Sequence, residues 1–522
     1  MSENRETGGR VGAMLAAMDL DDDACYRAFS MRDARLDGKI FVGVRSTGVY
    51  CRPICPARTP LRRNVSFYPS AAAAQEAGFR PCLRCRPETS PDLGAWRGAS
   101  NTVARALALI EDGALDEGDV EALGDRLGVG ARQLRRLFKS HLGASPVAVA
   151  QTRRVLLAKQ LIHDTALPMG EVALAAGFGS VRRFNETFQQ LFARPPGNLR
   201  RARRTEVSGA DGGIVTLRLA YRAPYDWAAM LDFLALRAVP GVEQVVDGRY
   251  ERSLRIGADV GRVSVAPGAG ETLEVRAQFP RLQVLPQVIA RVRRVFDLGA
   301  DPSQVNAHLS HDPALAPLVA QRPGLRAPGA WDGFELAVRA VLGQQITVVG
   351  ARNIAGRLAA AHGEALPEHL AAPGLTHLFP TPDALAQIDP ASLPMPQARA
   401  RALVALAAAA AADPQLFAPR GTLEDAVARL KALPGIGEWT AQYIALRQMR
   451  EPDAFPHGDI GLMRALAGPD GVRPTAQQLA ARAEAWRPWR AYAALHLWAS
   501  EGLAPAKPKP IRKELRHDQN AA

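Results

Sequence analysis

A chain of 522 residues, 47% of them hydrophobic, is long enough for several cores rather than one. Its 65 Lys and Arg against 52 Asp and Glu give a net charge of +13 and a pI near 9.9, which points to a polyanionic partner, nucleic acid first. A run of about 18 apolar residues, the minimum for a transmembrane helix, does not occur, and MSENRETGGRVGAM lacks the apolar core of a signal peptide. No membrane partner is therefore expected, and the expected setting is the bacterial cytoplasm, associated with the nucleoid, where thiols stay reduced.

The cysteines come first in chain order. Cys25, Cys51, Cys55, Cys82 and Cys85 all precede a stretch of 437 residues that contains none. The last four are spaced C-x3-C, 26 residues, C-x2-C. Each short pair can place two sulfurs on one ion, and two pairs complete a tetrahedral four-thiolate site, which predicts one Zn2+. Cys25 falls outside the pattern and reads as an ordinary buried cysteine. The flanking segments FVGVRSTGVYCRPICPAR (41–58) and AGFRPCLRCRP (77–87) resemble the metal-binding domain of the Ada family of alkylation-response proteins, over about residues 20–88. The resemblance implies that the first of the four cysteines, Cys51, accepts a methyl group from a methylphosphotriester in DNA. A zinc-held thiolate suits that role, since the thiolate is the nucleophile. The other reading is a purely structural zinc site.

Residues 86–100 (RPETSPDLGAWRGAS) and 205–213 (TEVSGADGG) read as linkers. Between them the sequence repeats at an offset of 50: Leu134 with Phe184, Phe138 with Phe188, Leu142 with Phe192, Pro146 with Pro196. Each copy has an apolar helix, a glycine turn and a second helix rich in Arg, Gln or Asn. That is the helix-turn-helix layout, whose second helix enters the major groove. The outward candidates are Arg132, Gln133, Arg135 and Arg136 in the first copy, and Ser180, Arg182, Arg183 and Asn185 in the second. Arg can read guanine, and Asn or Gln adenine. The pair resembles the AraC-type DNA-binding domain, over residues 97–204, and a regulator of that kind implies RNA polymerase as a partner.

Past residue 213, IVTLRLAY (214–221) and ETLEVRAQF (271–279) alternate like half-buried strands, with helical DWAAMLDFLALR (226–237) between. From Trp331 onward the pattern is helical. In TLEDAVARLKALPGIGEWTAQYIALR (422–447), Leu423, Val427, Leu430 and Leu433 share a face, and Pro434-Gly435-Ile436-Gly437 turns into a second helix. The glycines allow positive φ and close approach, Ile436 turns inward, and the free N–H groups at the start of the second helix form a phosphate clamp. This is a helix-hairpin-helix signature, with Gly435, Ile436, Gly437 and Thr440 expected at the DNA. Asp459 follows Gly437 by 22 residues. It suits an N-cap, and a helix N-terminus favours the charged carboxylate. Such an anion stabilises the oxocarbenium-like state formed when an N-glycosidic bond breaks, and can orient the attacking water.

Trp439 and Tyr443 are four apart on one helix face. Trp489 and Trp498, nine residues apart, point to opposite faces at about 100° per residue; Trp489 reads as packing with Tyr492 and His496, and Trp498 is left to face a cavity. Electron-rich rings suit a cationic base. WDGFELAVRAVLGQQITV (331–348) and WRPWRAYAALHLW (486–498), with the hairpin, resemble the AlkA family of bacterial 3-methyladenine DNA glycosylases, over about residues 214–503. The resemblance implies Asp459 as the catalytic carboxylate and Trp439, Tyr443 and Trp498 as the base pocket. Trp439 stands where glycosylases that also cut the backbone carry a Lys, so hydrolysis by water, without Schiff base, organic cofactor or iron–sulfur cluster, is expected. Gln345 and Ile346 occupy the wedge position, where the family can carry Leu.

The expected architecture is multidomain, mainly α with α+β parts. It comprises a small zinc-binding α/β domain (20–88), an all-α double helix-turn-helix domain (97–204), an antiparallel-sheet α+β subdomain (213–300), an all-α helix-hairpin-helix glycosylase domain (301–503) and a basic tail (504–522). The competing reading is a transcription activator whose glycosylase-like half only binds double-stranded DNA.

Overall fold

The computed structural model describes residues 21–91, 101–116, 118–200, 214–419, 421–468 and 470–501. Residues 92–100 and 205–213 of the expected linkers, Arg201–Arg204 and the tail 504–522 lie outside the described residues.

The N-terminal unit is a four-stranded sheet of β1 (Phe41–Val44), β2 (Val49–Cys51), β3 (Val65–Tyr68) and β4 (Arg80–Pro81), in the order β3-β1-β2-β4. β1 pairs antiparallel with β2 and β3, and β4 pairs parallel with β2. The helices Asp22–Ser30 and Ala71–Glu76 accompany it, capped by the side chains of Asp21 and Ser70. Residues 86–91 do not behave as a linker. Pro87–Thr89 form a packed 3-10 turn, with Pro87 and Glu88 buried.

The helical unit repeats as the sequence does. Val120–Leu127 leads to Ala131–Leu142, and Met169–Ala175 to Val181–Phe192, with the second helices displaced by the predicted 50 residues. Leu134, Phe138 and Leu142 are buried in the first copy, and Phe184, Phe188 and Phe192 in the second. The 19-residue helix Pro146–Asp164 joins them, and Asn101–Glu111 precedes them.

The third unit is an antiparallel sheet of β5 (Ile214–Ala220), β6 (Glu243–Val246), β7 (Arg249–Ile256), β8 (Asp259–Pro267) and β9 (Thr272–Gln278), in the order β5-β9-β8-β7-β6. The two predicted strands are neighbours, running from Ile214 opposite Gln278 to Ala220 opposite Thr272. The fourth unit is helical and contains the hairpin helices Leu423–Lys431 and Glu438–Arg447, then Ile460–Ala465 and Arg490–Glu501. Among the described residues, no helix is long and apolar enough to cross a membrane.

The units touch through buried polar pairs. Lys159 of the joining helix donates to Glu88 Oε2 at 2.5 Å and to the Cys82 carbonyl at 2.9 Å. Arg105 donates to Glu451 at 2.5 and 3.0 Å, and Lys39 pairs with Asp301 at 2.6 Å. Arg222 donates to the carbonyls of Arg35, at 2.9 Å, and Asp37.

Candidate functional site

The cysteine site is assembled by the sheet. β2 ends on Cys51, and Cys82 directly follows β4, its parallel neighbour; Cys82 N donates to the Tyr50 carbonyl at 3.0 Å. A turn closed by Cys55 N on the Arg52 carbonyl, 3.1 Å, returns Cys55 to the same place. The four Sγ atoms of Cys51, Cys55, Cys82 and Cys85 lie within 4.8 Å of one another, and all four residues are buried. A tetrahedral zinc with bonds of about 2.3 Å needs sulfurs about 3.8 Å apart, so this all-sulfur donor set fits Zn2+. Backbone N–H groups of Arg52 and Arg84 donate to Cys85 and Cys82 Sγ, each at 3.4 Å, as thiolate acceptors require. The Arg52 side chain donates to Asp37 Oδ1 at 2.9 Å and to Thr89 Oγ1 at 2.7 Å, fixing the chain beside Cys51. Cys25 is buried apart from this group, and burial pushes its thiol up to about 11.

On the helix-turn-helix helices, Arg132, Gln133, Arg135, Arg136, Arg182, Arg183 and Asn185 are exposed. Arg135 pairs with Glu121 at 2.7 Å and Arg182 with Glu186 at 2.8 Å. Ser180 is exposed but committed: its hydroxyl caps the helix by accepting from Arg183 N at 3.2 Å.

The hairpin begins with a capping box, Thr422 with Asp425, and buries Leu423, Val427 and Leu430. Ile436 is buried between the helices. Only one of the two glycines needs the left-handed region. Gly435 has φ +77, and a Cβ there would stand 2.4 Å from Ala402 Cβ. Gly437 is the extended N-cap of the second helix, open to solvent, with φ −87. Thr440 is 3% exposed, so its side chain lies inside the hairpin and its backbone N–H stands in the first turn of the second helix.

Asp459 caps Ile460–Ala465 by accepting from Leu462 N on Oδ1 at 3.0 Å. Two indoles converge on the same carboxylate. Trp498 Nε1 donates to Oδ1 at 2.9 Å and Trp439 Nε1 to Oδ2 at 2.7 Å. Trp439 stacks on Tyr443 with centroids 5.1 Å apart and planes at 9°, and Trp498 meets Tyr443 edge-on at 6.4 Å. All four residues line one cavity of about 780 Å³, with Ile346 in its wall. Gln345 stands exposed beside it at φ +60. Trp489 packs edge-on against Tyr492 at 6.3 Å.

The sequence reading missed the arginines of this cavity, two of which act on Tyr443. Arg447 donates to Tyr443 Oη at 2.7 Å and to the carbonyls of Pro328 and Gly329 at 2.8 and 2.9 Å. Arg237 and Arg447 stand 3.8 and 4.7 Å from the Phe233 ring centroid. Burial works upward on the Tyr443 phenol, but the guanidiniums of Arg447 and Arg237 bring it below its ordinary value. Arg447 lies four residues beyond Tyr443 on the same helix face, so its signal was present. Arg237 comes from a distant helix and had none.

Three family models match the chain: the metal binding domain of Ada over residues 24–88, a helix-turn-helix domain over 123–202, and the AlkA N-terminal domain over 216–332. The chain is 45% identical, over 92% of its length and 96% of the other's, to the Mycobacterium tuberculosis protein described as "Probable bifunctional transcriptional activator/DNA repair enzyme AlkA". It is 41% identical to DNA-3-methyladenine glycosylase 2 of Escherichia coli, over 55% of this chain and 98% of that one. It is also 40% identical to the bifunctional transcriptional activator/DNA repair enzyme Ada of Escherichia coli, over 27% of this chain and 38% of that protein. With an Ada-type zinc centre, a double helix-turn-helix and a glycosylase half in one chain, the protein belongs to the family of bifunctional transcriptional activator/DNA repair enzymes of the AlkA type.

Proposed function

We propose that the chain removes alkylated bases of the 3-methyladenine and 7-methylguanine type from double-stranded DNA by hydrolysis, with Asp459 as the working carboxylate. The observation that carries this reading is the pair of indole N–H groups on Asp459 at the wall of the cavity that Trp439, Tyr443 and Trp498 share. A carboxylate offers about four acceptor sites. Three are taken, two on Oδ1 and one on Oδ2, so the remaining one is on Oδ2. That site holds the attacking water. As the glycosidic C–N bond breaks, its electron pair leaves with the base, and Asp459 stabilises the positive sugar. The water oxygen then bonds to the anomeric carbon, its proton passing to Asp459 and on to solvent. Trp439, Tyr443 and Trp498 hold the flipped base, the Gly435–Ile436–Gly437 backbone holds a phosphate, and Gln345 with Ile346 fills the gap left in the stack. Trp439 offers no amine, which supports hydrolysis alone.

In the N-terminal unit, Cys51 Sγ attacks the methyl carbon of a methylphosphotriester. An S–CH3 bond forms, the CH3–O bond breaks, and the phosphodiester anion leaves. A zinc ion held by Cys51, Cys55, Cys82 and Cys85 would supply a deprotonated thiolate at neutral pH. Losing one thiolate charge lessens the repulsion of phosphate and strengthens DNA binding. The exposed Arg132, Gln133, Arg135, Arg136, Arg182, Arg183 and Asn185 then read a promoter, where the protein acts on RNA polymerase as an activator, in the cytoplasm at the nucleoid.

Incubation with methylated duplex DNA tests the enzyme reading. The expected products are free 3-methyladenine and an abasic site, with no protein–DNA adduct after borohydride. A trapped adduct contradicts the hydrolytic mechanism, and no released base leaves the DNA-binding reading in its place.

A further inference from the structure

Gln344 precedes the two wedge residues and is absent from the cavity wall. Its side chain crosses to the hairpin instead. Nε2 donates to the Gly435 carbonyl at 2.9 Å and lies 3.4 Å from Thr440 Oγ1. Its own carbonyl accepts from the Arg399 guanidinium. Arg399 belongs to the helix Gln397–Ala412, the same helix whose Ala402 sits under Gly435. Residues three apart share a helix face, so one face of this helix supports both the hairpin turn and the wedge turn.

The next residue shows what this support does. Gln345 has φ +60, a conformation that a residue with a Cβ adopts only where its surroundings impose it. On its far side the turn is fixed by Thr347, which caps Val348–His362 by accepting from Gly350 N at 3.1 Å. The strained residue is therefore held between two anchored neighbours, with its own side chain free and exposed.

We propose that Gln344 is a positioning residue for base flipping: with Arg399 on its carbonyl, its amide ties the Gln345–Ile346 turn to the hairpin, so that the group entering the base stack and the loop holding the backbone act as one rigid jaw. This rests on the reading of the chain as a base-flipping glycosylase. The fixed offset between phosphate and wedge is useful only while the base must be pulled out of a duplex. A base that is already unstacked needs no jaw.

The test uses the full chain under single-turnover conditions with one methylated base in two settings, paired in a duplex and in a single strand. In Gln344→Ala, the rate on the paired substrate is expected to fall by roughly ten- to a hundredfold, as misplacement of a positioning group does, while the single-strand rate stays near wild type. Gln344→Glu, which keeps the length but loses the donor, should behave the same way. Arg399→Ala acts on the same turn from the other side and serves if Gln344→Ala fails to fold. An unchanged ratio of paired to single-strand rates overturns the proposal, and so does an equal fall on both substrates. If wild-type protein releases the base from neither substrate, the glycosylase reading fails, and this inference with it.

Discussion

Asp459 combines two duties that pull in different directions. As an N-cap it is fixed by Leu462 N, and as the proposed reacting group it must keep a free acceptor site; the indoles orient the carboxylate without filling it. The cation expected in the pocket has a competitor, because Arg447 already lies 5.4 Å from the Tyr443 ring centroid. Ring types in the sequence suggested the attraction, but not which charge would use it. His496, on the helix with Trp498, offers a separate check. It is buried, and burial followed by the Arg322 charge brings its pKa down to about 4. The unfolded chain takes up a proton below about pH 6.5, whereas the folded chain does so only near 4, so this stability is complete above 6.5 and is lost as pH falls from 6.5 towards 4. A tenfold change in proton affinity is worth about 1.4 kcal/mol, so the total is of the order of 3 kcal/mol. Thermal melts across that range should show a shallower acid decline in His496→Gln than in wild type. Superimposable slopes would contradict this.

At the scale of elements, the hairpin separates two glycines that look alike in sequence. Gly435→Ala meets both a left-handed φ and the Ala402 methyl, so it is expected to cost about 1–3 kcal/mol. Gly437→Ala has space and an ordinary φ, so its melting temperature should stay near wild type. DNA affinity should nevertheless drop, because the added methyl stands where the proposed clamp would receive a phosphate. Melting curves with DNA titrations check both, and wild-type affinity in Gly437→Ala would remove the clamp from that position. The hairpin was legible because its apolar spacing, turn and following Asp agree at every level. β5 and β9 were legible because their burial alternates. β7 was not: RYERSLRI reads as charged, yet Arg252 is buried, paired with Glu335 at 2.8 Å. A buried ion pair conceals the period by which a strand is recognised.

At the scale of the molecule, the linear order of units was legible, and their docking was not. The side chains of Lys159 and Glu88 are 0% and 1% exposed, yet each looks like an ordinary surface charge in sequence, because its partner is 71 positions away. Burial outweighs the Arg105 attraction at Glu451 and pushes that carboxyl up. The docking joins the proposed methyl acceptor and the proposed base-excision site in one body. The two proposed chemistries use separate residues, so one experiment can follow both. Full-length wild type and Asp459→Asn are incubated with methylated duplex DNA, and released bases and the Cys51 peptide mass are followed together. Asp459→Asn is expected to lose base release by at least about a hundredfold while Cys51 still gains a methyl group. Base release by Asp459→Asn at the wild-type rate, or methyl on no cysteine in either protein, would contradict it.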